Sequence, residues 1–297
     1  MTPTPRPDPA APGALDAAAP AGHDADELVI EPGAHLRRYW TDVWRARGLL
    51  YYLAWRDVRV RYKQTALGLA WGVLRPLLSM VVFTFIFGRL AKLPTTGDNG
   101  YHVMVFAGLL PWQLFATGVL HGSASLTGNV ALVTKVYFPR IVLPASSQAV
   151  AIVDFIVALG ILFILMLADG HLPTWRIVFV PLFLLMAILP ALGLALWLSA
   201  LNVWYRDFAY LVPFGLQLGF FLSPVGFAAA TIPEGVRVIY GLNPMVGVID
   251  AFRWAVLDSP PPLDLRVVGL SFAVSVLLFV LGLRYFRRTE ASFADRI

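Results

Sequence analysis

Residues 51–90 read YYLAWRDVRVRYKQTALGLAWGVLRPLLSMVVFTFIFGRL, and their two halves set the fold. The first half is aromatic and basic. Tyr51, Trp55, Val58 and Tyr62 recur at steps of four, three and four, which is one face of a helix; Arg56, Arg59 and Lys63 repeat at three and four on another. A helix with rings on one side and cations on another lies in a membrane interface, its rings at headgroup level. The second half, residues 67–90, carries only the charges of Arg75 and Arg89. At about 1.5 Å per residue it is long enough to cross a hydrocarbon core about 30 Å thick. Arg75, just before Pro76, can snorkel to the surface.

Upstream, Trp40 and Trp44 extend the aromatic face, so an interface helix is predicted over 34–63. Residues 1–33 are rich in Pro, Ala, Gly and Asp without periodicity and are predicted to be a disordered tail. They do not read as a signal peptide, which starts basic and turns apolar. Downstream the apolar segments continue at 103–126, 141–168, 178–204, 209–230 and 265–285, giving six predicted crossings. Between the last two, 236–240 and 245–257 are apolar but too short to span, and Asn243-Pro244 separates them. A re-entrant helix pair over 232–258, closed by prolines 260–262, is expected there. Residues 290–297 are expected to be a cytoplasmic tail. The whole chain is 58% hydrophobic and 14% charged, against about 25% charged in soluble domains.

Charge gives the orientation. Residues 1–35 hold one base, Arg6, against six acids, so the remaining residues carry 22 bases against 12 acids. Those bases concentrate before the first crossing, at Lys135 and Arg140, at Arg206, and at Arg284, Arg287 and Arg288, all on one side of the predicted topology. Such an excess sets both termini in the cytoplasm and is not a nucleic-acid footprint.

Several chemistries are excluded. With no cysteine there is no thiolate nucleophile or thiolate metal site. The three lysines follow Tyr62, Ala91 and Thr134, so no Gly-Lys phosphate loop exists. No His-Glu-x-x-His motif occurs, and neither catalytic nor metal-ligating residues are assigned. Asp154 is the one acid deep in a crossing, expected to be hydrogen-bonded inside the bundle, with ion coupling as the alternative. Gly68–Gly72, Gly118–Gly122 and Gly215–Gly219 have the spacing of close helix contacts. In the loop 129–144, the run Val133-Thr-Lys-Val-Tyr-Phe-Pro139 places Tyr137 and Phe138 either against the membrane surface or as a knob for a cytoplasmic partner.

An interface helix, six crossings, a coupling loop after the second and a re-entrant pair before the sixth resemble the type-2 ABC exporter permeases for O-antigen and related lipid-linked polysaccharides. The resemblance is carried by 55–63 running into 67–71, by Lys135-Val-Tyr-Phe-Pro-Arg140, and by Asn202-Val-Trp-Tyr-Arg-Asp207, within coverage from about residue 36 onward. It implies an all-α transmembrane domain over 64–289 and a homodimer. It also implies two copies of a separate nucleotide-binding subunit, which would hold ATP and magnesium. By the same resemblance, Val133, Thr134, Lys135, Val136, Tyr137, Phe138 and Pro139, with Arg206 and Asp207, would meet that ATPase. Val236, Tyr240, Asn243, Pro244 and Phe252 would belong to an external gate. Phe83, Phe87, Trp112, Phe115, Phe220 and Phe221 are the candidate linings of an aromatic channel for sugar. Arg56, Arg59, Arg61 and Lys63 are the candidate contacts for a lipid diphosphate head group. Other cargo on the same architecture is a capsule polysaccharide, a teichoic acid or a small hydrophobic compound. The rival classes, a membrane transferase or an ion-coupled carrier, would need clustered carboxylates that the scattered acids do not supply.

Overall fold

A computed structural model describes residues 36–63, 68–90, 100–227, 232–258 and 263–297, and among these the chain is helical with no strand. The 1–33 tail, prolines 260–262, Leu67 and the loop bearing Lys92 lie outside the described residues, as do the side chains of Trp71 and Arg75. The basic-aromatic stretch forms α1 (Leu36–Arg45) and α2 (Arg47–Lys63). The break between them is slight, because the Ala46 N–H still donates to the Asp42 carbonyl at 2.9 Å and Leu50 to Ala46 at 3.0 Å. Then follow α3 (Gly68–Phe83), which passes into a π-helical segment (Thr84–Leu90), α4 (Tyr101–Ser123), the short α5 (Val130–Lys135) and α6 (Val142–Ala168). The second half holds α7 (Val180–Trp204), α8 (Phe208–Phe221), α9 (Glu234–Tyr240), α10 (Pro244–Val256), α11 (Leu265–Thr289) and α12 (Phe293–Arg296).

Among the described residues, four stretches are long and apolar enough to cross a membrane: Tyr101–Ser123, Val142–Ala168, Trp175–Trp204 and Leu265–Ser292. The first expected crossing, 67–90, falls on α3 and its π segment, which run on from Gly68 to Leu90 past Pro76. The fifth falls on the shorter apolar helix Phe208–Phe221, which Pro224 halts just past its end, where expectation had carried the helix to 230.

Helix α4 is the centre. It packs against α3, α6, α7, α8 and α10, and Val103, Val105, Phe106 and Ala107 are fully buried. A helix apolar all round has no solvent face to present, and it takes the inside position. Helices α6 and α11 instead expose apolar faces, Ile156, Ile164 and Leu167 on one, Phe272, Leu277 and Leu281 on the other. Exposed apolar surface of that extent suits contact with lipid.

Where α7 crosses α11 the backbones touch. A methyl on Gly193 would stand 2.6 Å from the Phe279 backbone, and one on Gly282 would meet the Gly193 carbonyl. Gly118 and Gly122 make a second close contact, against Gln148 of α6 and Ala191 and Ala195 of α7. Gly215 has open space around it, while Gly219 faces the Trp112 ring. A separate apolar cluster gathers at one end of the bundle, joining Leu53 of α2, Val133 of α5 and Phe138 just after it, Leu196 of α7, Phe286 of α11 and Phe293 of α12. Residues 290–297 thus fold back as helical turns onto the bundle.

Candidate functional site

The six rings selected from the sequence form one connected surface. Phe83 and Phe87 lie one helical turn apart with centroids 5.4 Å apart. Phe83 meets Phe220 edge-on at 5.6 Å, Phe220 meets Trp112 at 5.8 Å and Phe221 at 5.6 Å, and Trp112 meets Phe115 at 5.5 Å. Three elements, α3 with its π segment, α4 and α8, are joined by these contacts, whose separations are those of favourable ring pairs. Glycines make room for them: a Cβ on Gly219 would stand 3.0 Å from Trp112, and one on Gly226 2.8 Å from Phe83. Beside the rings lies an apolar cavity of about 700 Å³, bounded by Trp112 and Phe115, by Val212, Leu216 and Gly219 of α8, and by Tyr240.

The predicted gate residues divide. Tyr240 donates its hydroxyl to the Leu222 carbonyl at 2.9 Å, and the Asn243 amide donates to the same carbonyl at 3.1 Å and to Ser223 Oγ at 3.0 Å. Asn243 also caps α10, accepting from the Met245 N–H at 3.0 Å. Both side chains therefore bind the end of α8 to the α9–α10 pair, and with Val236 and Pro244 they line the cavity. Phe252 sits elsewhere: it is buried and packs edge-on against Phe155 of α6 at 5.6 Å.

Next to Phe252 stands a residue that sequence reasoning missed. Arg253 is 1% exposed and donates to four backbone carbonyls: Met104 at 3.1 Å, Pro224 at 2.8 Å, Val225 at 2.7 Å and Phe227 at 2.9 Å. The last three lie in the irregular segment after α8, whose carbonyls have no helical partner. Tyr101 adds a hydroxyl bond to the Gly226 carbonyl at 2.5 Å. Gly108 provides the space, since a Cβ there would strike the guanidinium and stand 2.9 Å from the Val225 oxygen. One cation in an apolar run was the available signal.

On α2 the four basic residues also divide. Arg61 pairs with Asp154 of α6 at 2.6 Å, and its other nitrogen donates to His121 Nε2 at 2.9 Å. Arginine has no acceptor, so His121 carries its proton on Nδ1. Tyr62 donates to the second Asp154 oxygen. Burial first, then the Asp154 bond and charge, raise the Tyr62 phenol's pKa, which keeps it a donor. Arg56 binds Asp57 at 2.8 Å and the Asn129 side chain at 2.9 Å. Arg59 and Lys63 are exposed, Arg59 lying 5.5 Å from the Trp55 ring centre.

In the 130–140 segment, Val133 and Phe138 are buried in the end cluster, whereas Thr134, Lys135, Val136 and Tyr137 are exposed, Tyr137 by 74%. Pro139 is half-buried. Arg206 and Asp207 form an exposed turn between α7 and α8. Arg206 and Val130 border one cleft of about 340 Å³, so both stretches expected to meet a partner lie at the same end.

A multi-helix bundle with apolar outer faces, a connected set of aromatic rings and a basic-aromatic helix packed along α6 defines a multi-pass membrane protein. The chain belongs to the ABC-2 type transporter family, whose model matches residues 48–257. It is 32% identical to an O-antigen export system permease protein RfbA of Myxococcus xanthus, over 86% of this chain and 98% of the relative. It is 28% identical to an RfbA of Klebsiella pneumoniae, over 83% and 94%, and 23% identical to the polysialic acid transport protein KpsM of Escherichia coli, over 79% and 91%.

Proposed function

We propose that this chain is the transmembrane permease subunit of an ATP-driven exporter that carries a lipid-linked polysaccharide of O-antigen type across the bacterial cytoplasmic membrane. The observation that carries this is the connected surface of Phe83, Phe87, Phe220, Phe221, Trp112 and Phe115 beside a large apolar cavity, in a chain similar to O-antigen export permeases. Ring faces stack on the apolar faces of sugars and demand no particular sugar, which suits a sliding polymer.

In this reading six crossings place both termini in the cytoplasm, with α3 and its π segment as the first and α8 as the fifth. Helices α9 and α10 enter from the outer side and return. Two copies of the chain enclose the glycan path. ATP and magnesium are held by two copies of a separate ATPase subunit, which engages Val133–Pro139 and the Arg206-Asp207 turn. The exposed Thr134, Lys135, Val136 and Tyr137 touch it, while Val133 and Phe138 carry its push into the bundle. The lipid diphosphate first meets exposed Arg59 and Lys63, and Arg56 and Arg61 reach it by exchanging their carboxylate partners. The relatives named for polysialic acid transport support a polysaccharide of that kind as a second cargo.

The test is translocation of fluorescent lipid-linked glycan into vesicles holding this chain with its ATPase. ATP-dependent movement, lost when Trp112 and Phe220 are both changed to alanine while ATP hydrolysis persists, is the expected result. Unchanged movement in that variant removes the rings from the path, and a chain that binds no ATPase removes the exporter.

A further inference from the structure

Three elements distant in sequence meet on one carboxylate outside the aromatic path. Glu290 directly follows α11. One of its carboxylate oxygens accepts the Arg140 backbone N–H at 2.7 Å and the other accepts the Tyr39 hydroxyl at 3.0 Å. The Arg140 guanidinium also donates to the Glu290 backbone carbonyl. Arg287, one turn earlier on α11, lies 4.4 Å over the Tyr39 ring. The Tyr39 phenol's pKa is raised, by burial first and then by the Glu290 charge and bond, so it stays a donor. A half-buried carboxylate needs such donors, since its desolvation is otherwise uncompensated.

Around this point the apolar cluster binds the same parts together. Phe293 packs edge-on against Phe286 at 5.3 Å, and both join Leu53 of α2 with Val133 and Phe138. At the other end of the segment the Arg56 guanidinium reaches Asn129 at 2.9 Å. The 129–140 segment is thus tied to α1 and α2 at both its ends, besides its covalent links to α4 and α6.

We infer that Glu290 is a positioning residue that links the 130–140 segment to the interface helices, so that displacement imposed on that segment reaches α1 and α2 directly. This rests on the reading that an ATPase pushes there. The consequence is that the basic helix α2, with its Arg61–Asp154 anchor, shifts in step with the ATP cycle. Head-group engagement is then timed by the nucleotide state and is not a constant property of the surface.

Two measurements on the full chain test it. The first is amide hydrogen exchange on the purified chain in nanodiscs. Glu290→Gln, which puts a donor where an acceptor stood, raises exchange in 36–46 and 130–142 together by roughly tenfold and leaves the centre of α4 unchanged. Tyr39→Phe raises it in 36–46 only. The second is glycolipid moved per ATP hydrolysed by the complex, which falls several-fold in both variants while ATPase binding and hydrolysis persist. Tyr39→Phe keeps the carboxylate and its arginine, so it decides the matter if Glu290→Gln disturbs folding. Because the chain has no cysteine, Tyr39→Cys with Glu290→Cys can be bridged by a bismaleimide, which restores the ratio. Normal transport per ATP in Tyr39→Phe, or exchange in the two segments that changes independently in Glu290→Gln, overturns the inference. If the unmodified complex moves no glycolipid, the exporter reading falls, and the exchange result still decides the mechanical link.

Discussion

Replacing Arg253 with leucine removes the donors of four buried carbonyls at once, those of Met104, Pro224, Val225 and Phe227. Each orphaned carbonyl costs about 1–3 kcal/mol if it finds no substitute. Against that stands relief from holding a guanidinium that is 1% exposed, a desolvation of several kcal/mol. Because the partners stay behind unpaired, the loss wins, and the net destabilisation is about 3–5 kcal/mol. In thermal unfolding of the detergent-purified chain this is a midpoint about 10 °C lower, at about 2–4 °C per kcal/mol. Arg253→Lys should fall between, since an ammonium keeps the charge but cannot span carbonyls on two sides of a planar fork.

Gly108→Ala supplies the cross-check. Its new methyl meets the guanidinium and the Val225 oxygen, and such overpacking costs about 1–3 kcal/mol. In the Arg253→Leu background the guanidinium clash is gone while the 2.9 Å approach to the Val225 oxygen stays, so the same change should cost about 1 kcal/mol less than in the unmodified chain, a coupling expected of residues in contact. A midpoint for Arg253→Leu within about 2 °C of the unmodified chain would refute the argument. Additive costs for the pair would refute the stated geometry.

Three further outcomes are expected. Asp154→Asn cuts the 2.6 Å pair with Arg61 and weakens the Tyr62 bond, so α2 should loosen from α6. Amide exchange in 47–63 should rise by roughly tenfold, the size of a lost charge-assisted bond, and Asp154→Glu should recover part of it. Gly282→Ala forces a methyl against the Gly193 carbonyl, where backbone cannot swing aside, and should lower the unfolding midpoint by several degrees, equivalent to about 1–3 kcal/mol. Asn243→Ala removes the α10 cap and two bonds to the end of α8, and limited proteolysis should cut sooner near 222–243, with a stability loss of about 1–2 kcal/mol.

Helical period and residue type disclose which face of a segment is special, and they disclose little about which face it meets. That is why ring type alone could not tell Phe83, Phe87, Trp112, Phe115, Phe220 and Phe221, which meet one another once the helices pack, from Phe252, which packs against Phe155. It is also why Arg61 reads as a free cation in the sequence although Asp154, 93 residues later, neutralises it. Spacing of small residues was similarly partial. Gly118–Gly122 does lie in a close contact, but the tightest crossing is made by Gly193 and Gly282, one from each helix, which no within-helix motif can register. Phe252 and Arg253 show the same limit at adjacent positions. Both lie in a short apolar helix, and only the arrival of α6 beside one and of the irregular 224–227 segment beside the other makes the first a packing ring and the second a cross-brace. Arg253 could not be left buried in such a place unless those carbonyls needed it, because an unpaired guanidinium there would cost more than the fold can absorb. The one buried cation of α10 thus marks the point where the chain after α8 has left its helix, whereas Asp154, the acid deep in α6, is met by side chains of the regular helix α2.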